Sequence, residues 1–211
     1  MAGATESYRD SVEHQSHLYT GAEYYFLSKP YMEGHQYFKS KTYTAGAVQY
    51  EGVWHEEVPL LYDVIIDEVI TMHRTSGYAL KLVKPKVKSF VLNGETFLNM
   101  RIDSTLGSPA QPSFYGLLYD GNIKVFARRH KEAQERVSPD GFEGEYRNAD
   151  RYYLYKDGVY HQVRKKRSVL KVLQDEKKQL RKFIRENRLK FRKQQEESIV
   201  KVAQQYDALK N

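Results

Sequence analysis

Seven histidines and a few carboxylate clusters are the residues of this chain whose types lend themselves to chemistry. His14 and His17 stand three apart and His55 precedes Glu56 and Glu57, so imidazole and carboxylate ligands for a divalent metal fall within short stretches. Their spacing matches no established metal pattern, and solvated or edge-strand histidines are expected instead; no metal is assigned. Asp63, Asp67 and Glu68 cluster where a strand turns. Paired carboxylates do general acid and base work only when they face each other across a shielded cleft. Asp is equally a turn former, and that is the role expected here. The chain has no Cys, which removes thiolate nucleophiles and ligands, and it contains neither Gly-x-Ser-x-Gly, Gly-x-x-x-x-Gly-Lys-Ser/Thr nor Gly-x-Gly-x-x-Gly. No catalytic residue and no cofactor are therefore assigned.

Charge is the stronger signal. From Arg164 to Lys193 there are fourteen Lys or Arg against Asp175, Glu176 and Glu186, a local balance of +11 in a chain whose total is +7, so the rest of the protein sums to −4. A cationic appendage on a near-neutral body points to a partner surface rather than to a globally polyanion-binding protein. Arg181, Lys182, Arg185, Arg188 and Lys190 are the candidate partner-binding residues, spread opposite Leu180, Phe183 and Ile184. A protein partner, an anionic envelope component or a merely solvated face fits them. Nucleic acid fits less well, because no RNP-like aromatic motif, zinc module or recognition-helix arrangement accompanies the charge. Tyr24, Tyr25, Phe26, Tyr31, Tyr37, Phe38, Tyr43, Tyr50 and Trp54 crowd the first quarter, where they suit strand cores better than a ligand platform.

The elements that must carry these residues are mostly strands. Asn93-Gly94, Asp120-Gly121 and Asp157-Gly158 each sit between β-branched and aromatic runs, which predicts three hairpins with two-residue turns. Further strands are expected at Ala47–Trp54, Pro59–Val64, Glu68–His73 and Tyr78–Val83, and surface loops at Asp103–Pro112 and Ser138–Asn148. After Val163 the apolar period lengthens to that of a helix: Leu170, Leu173, Leu180, Phe183 and Ile184 share one face, and Ile199, Val202, Ala203, Tyr206 and Leu209 another. The expected fold is mainly β with C-terminal α-helices (α+β). It is an antiparallel meander curved into a partial barrel or sandwich and covered by a short helical hairpin. Three segments follow: residues 1–33 as loop or first elements, 34–163 as the β domain, and 164–211 as a basic helical region packed on it. No apolar run is long enough for a transmembrane helix, and Met1-Ala2-Gly3-Ala4 lacks the basic and apolar parts of a signal peptide.

Residues 43–54 (Tyr-Thr-Ala-Gly-Ala-Val-Gln-Tyr-Glu-Gly-Val-Trp) and 58–63 (Val-Pro-Leu-Leu-Tyr-Asp), with the tail at 166–173 and 177–187, resemble uncharacterised exported envelope proteins of the Bacteroidota type. That resemblance covers under a quarter of the chain. It implies a removed signal peptide and a periplasmic or envelope-facing location, and it transfers no catalytic residue. The function expected is a non-enzymatic cell-envelope binding or scaffolding protein. A hydrolase acting on polysaccharide or peptidoglycan, and a nucleic-acid-binding protein using the basic helices, are the alternatives.

Overall fold

A computed structural model describes residues 18–27, 29–102, 111–139 and 141–210. The protein is mainly β, with 45% strand and 21% helix, and it carries C-terminal helices. The large sheet is antiparallel and does not close into a barrel. Among the described residues no helix is long and apolar enough to cross a membrane. Two compact units are present, Met1–Asn99 with His130–Ala149, and Met100–Arg129 with Asp150–Asn211. His14, His17, most of the opening segment and most of the loop expected at Asp103–Pro112 lie outside the described residues.

In the first unit, β2 (Thr44–Tyr50), β3 (Val53–Asp63), β4 (Glu68–Met72), β5 (Ala79–Lys81), β6 (Val87–Leu92) and β7 (Glu95–Met100) order themselves as β7-β6-β2-β3-β4-β5. All the pairings that involve β2, β3 and β4 are antiparallel. Asn93 and Gly94 take φ of 50° and 76°, the left-handed pair that a two-residue hairpin between β6 and β7 requires. That turn sets the register in which Phe90 and Phe97 lie opposite one another and stack at 4.6 Å. Tyr62 packs edge-on against both rings, and Phe38 against Phe97, all four of them buried. The aromatic composition is thus chiefly core, although Tyr25, Phe26 and Trp54 are exposed.

Two expectations for this unit change. Ala47–Trp54 is not one strand: Glu51 and Gly52, at φ 49° and 89°, turn the chain between β2 and β3. Glu is an unusual residue for that conformation, so the turn carried no visible sign. Ser138–Asn148 is not a loop either, because Gly141–Asn148 (β11) pairs antiparallel with Lys131–Ser138 (β10) over its whole length. Met32–Glu33 (β1) adds a short parallel pairing on the other side of β11. This hairpin is held largely by surface pairs such as Arg136 with Glu143, and Glu135 with Tyr31 and Lys29. With neither face buried, no apolar alternation marks it.

The second unit has a four-stranded sheet ordered β13-β12-β9-β8: β8 is Ser113–Asp120, β9 Lys124–Arg128, β12 Arg151–Lys156 and β13 Val159–Val163. Asp157 and Gly158, at φ 51° and 81°, make the expected two-residue turn between β12 and β13. The helices are α1 (Lys166–Val172), α2 (Lys177–Glu186) and α3 (Gln195–Lys210), with a single 3₁₀ turn at Gln174–Glu176. Val125, Ala127, Leu154 and Val163 of the sheet form one core with Val169, Leu173, Leu180, Ile199, Val202 and Ala203 of the helices, all essentially inaccessible. Most of the helical stripe read from the sequence is buried, Phe183 and Leu209 only partly, and α2 ends at Asn187.

Asp120-Gly121 works differently from the other two pairs. Neither residue has positive φ, and the connection runs through three residues after a bulge in β8. What demands glycine is closeness: a Cβ on Gly121 would sit 2.5 Å from the Tyr119 hydroxyl and inside contact distance of the Asp207 carboxylate. Asp207, buried near the end of α3, accepts hydrogen bonds from the backbone amides of Asn122 (2.8 Å) and Ile123 (3.3 Å) and from the Tyr119 hydroxyl (2.9 Å). Asp207→Ala removes the acceptor and strands two backbone donors, so we expect a loss of about 3 kcal/mol in urea unfolding, with Asp207→Asn recovering part of it.

Candidate functional site

The basic tail folds into two helical walls. At the start of α1 the Ser168 hydroxyl accepts the Arg164 and Lys165 amides and donates to the Lys165 carbonyl, fixing the entry of the helix. Val169 and Leu170 then face inward, which leaves Lys166, Arg167 and Lys171 outward. In α2, Leu180 and Ile184 are buried one turn apart. Lys177, Arg181 and Arg185 repeat at intervals of four on an exposed face, about 6 Å per step along the axis.

Between the walls runs an open groove of about 1150 Å³. Its rim carries Lys166, Arg167 and Lys171 from α1, Lys177, Arg181 and Arg185 from α2, and Arg188 just beyond. Leu170, Ile184 and Leu189 form the apolar part of its lining, and no carboxylate contributes. None of the seven cations makes an ion pair among the described residues, whereas Lys156, Lys182, Lys201 and Lys210 all do.

The acids that might have neutralised the groove are engaged elsewhere. Asp175, in the turn between α1 and α2, accepts from the Tyr206 hydroxyl at 2.7 Å, from Lys156 at 2.9 Å and pairs with Lys210 at 3.0 Å. Burial pushes its carboxyl upward, but those hydrogen bonds outweigh it and hold the group well below the usual carboxylate range. Glu176 pairs with the same Lys210. The turn that joins the walls is in this way pinned to α3 and β12, with its negative charge committed there.

Arg188 closes the groove under strain. Helix α2 ends with the Asn187 amide on the Phe183 carbonyl and the Leu189 amide on the Ile184 carbonyl, while Arg188 between them takes φ of 49°. Glycine usually occupies that left-handed position. An arginine there puts a cation at the groove's end at the cost of backbone strain.

Of the five residues singled out by sequence, Arg181, Arg185 and Arg188 line the groove. Lys182 lies in the adjoining depression, 4.0 Å from Glu186, and Lys190 is exposed outside both. Lys166, Arg167, Lys171 and Lys177 belong to the same rim; their intervals of four, Arg167 with Lys171 and Lys177 with Arg181, are the sequence sign of it.

The other constellations resolve into structure. Asp63 accepts the Tyr24 hydroxyl at 2.8 Å and the Ile65 amide at 3.0 Å. Asp67 pairs with Lys84 at 2.5 Å, and burial raises the Glu68 carboxyl above its ordinary value. These three carboxylates shape the turn from β3 to β4. His55 is buried in β3, while the neighbouring Glu56 and Glu57 are exposed.

Comparison with protein-family descriptions, with curated proteins and with solved structures finds no match to this chain. For Arg188→Gly, relief of the left-handed penalty exceeds the added chain entropy, so a gain of about 0.5–1 kcal/mol is expected in thermal or urea unfolding.

Proposed function

We propose that this is a non-enzymatic binding or scaffolding protein of the cell envelope that docks an acidic partner in the groove between α1 and α2. The observation that carries this reading is the gathering of seven exposed cations around one concavity, none of them ion-paired among the described residues. Like charges at helical intervals of four repel, so a merely solvated helix gains by interspersing acids. Here that repulsion stands uncompensated inside the protein, and an external anion relieves it. The envelope setting is supported by the resemblance of residues 43–54, 58–63, 166–173 and 177–187 to exported envelope proteins. The rigid helix-on-sheet core beneath the groove supplies a preformed surface, which lowers the ordering cost of binding.

A fluorescent polyglutamate peptide tests the docking claim by anisotropy at two salt concentrations. Each exposed ion pair contributes up to about 1 kcal/mol and reversal adds repulsion, so Arg181→Glu with Arg185→Glu should weaken binding by roughly ten-fold or more. Arg192→Glu with Lys193→Glu makes the same change in net charge outside the groove and should cost distinctly less affinity. Equal losses in the two double variants would contradict a localised site.

A further inference from the structure

We infer that the anion recognised by the groove is the phosphate of an anionic lipid surface, an inference that rests on the groove being an anion-docking site. Four of the seven rim cations are arginines, Arg167, Arg181, Arg185 and Arg188. A guanidinium offers a planar pair of donors that matches two oxygens of one phosphate, which a lysine ammonium does not.

The apolar lining separates lipid from the other acidic occupants. Leu170 and Ile184 are already 3% and 4% exposed, so an amphipathic acidic helix laid in the groove would find little apolar area left to bury. Affinity must come from charge. No aromatic side chain lines the groove, so a nucleic-acid strand would find no face on which to stack its bases. A phosphate headgroup needs neither.

The cationic surface also continues past the groove. Lys178 and Lys182 are exposed on α2, and Lys190, Arg192 and Lys193 on the segment that follows it. Clusters of this density draw a protein to a surface bearing many phosphates, each basic residue near the surface adding to the attraction. Arg188 fits the same account: its strained backbone is maintained at a position where glycine would be more stable, and its gain lies in the charge it delivers.

The test is co-sedimentation of the full chain with vesicles of equal parts phosphatidylglycerol and phosphatidylcholine, and with phosphatidylcholine alone. Binding is expected only to the first, and it should fall as salt rises. Arg188→Gly should bind those vesicles roughly five-fold more weakly, the effect of one basic residue at the surface, and it should still melt later than the parent. Unchanged vesicle binding by Arg188→Gly would overturn the groove as the contact. Polyglutamate binding without vesicle binding would overturn the lipid inference while leaving the acidic-partner reading in place, and loss of both would remove both. A single-stranded oligonucleotide bound more tightly than the phosphatidylglycerol vesicles would likewise overturn it in favour of nucleic acid.

Discussion

A buried carboxylate with no ion pair among the described residues, Asp207, is the constraint on which the second unit depends. Its charge is tolerable only because two backbone amides and a tyrosine hydroxyl converge on it from the turn between β8 and β9. Helix α3 therefore cannot slide on the sheet without stranding that charge. At the other end of the helix, Glu196 meets Arg129, a buried guanidinium that also holds Asp150 at 2.8 Å. Removing either acid would weaken the compensation of a guanidinium that is itself only 7% exposed. Two charged clamps, about 16 Å apart along the helix axis, thus fix position and tilt, while Ile199, Val202 and Ala203 between them supply the apolar contact.

The groove inherits its shape from that placement. Once α3 is fixed, Tyr206 and Lys210 present their polar ends to Asp175, which ties the turn between α1 and α2 to it. The two basic helices are then held apart at a set distance, with Leu180 and Leu173 buried beneath them. This arrangement also sorts the charge: Asp175 and Glu176 are drawn to Lys156 and Lys210, and the cations on the groove rim make no ion pair among the described residues. Structural role and cationic surface are two faces of the same helices.

How much of this the sequence shows depends on whether a feature is local. The turns at Asn93-Gly94 and Asp157-Gly158 are local conformational preferences, and the structure uses them as their residue types imply. Asp120-Gly121 has the same appearance and a different cause, since its glycine is required by a carboxylate that arrives from 86 residues later in the chain. No inspection of neighbours reveals that. The β10–β11 hairpin escaped notice because both its faces are exposed, so the usual alternation is missing. The helical stripe was legible because burial imposes period 3.6 on Leu170, Leu173, Leu180 and Ile184. The basic character of the rim is equally visible, but not that Asp175 and Glu176 pair with Lys156 and Lys210 in three dimensions rather than with the rim.

The central claim is that the basic helices are part of a cooperative core and present a preformed groove, rather than a loose tail that orders on contact. Native-state amide hydrogen exchange tests it most directly. The amides of Leu180 and Ile184 in α2 should exchange with the same opening free energy as those of Val125 and Leu154 in the sheet, and respond alike to denaturant. Exchange from α2 at a far lower free energy, with the sheet still protected, would contradict the account.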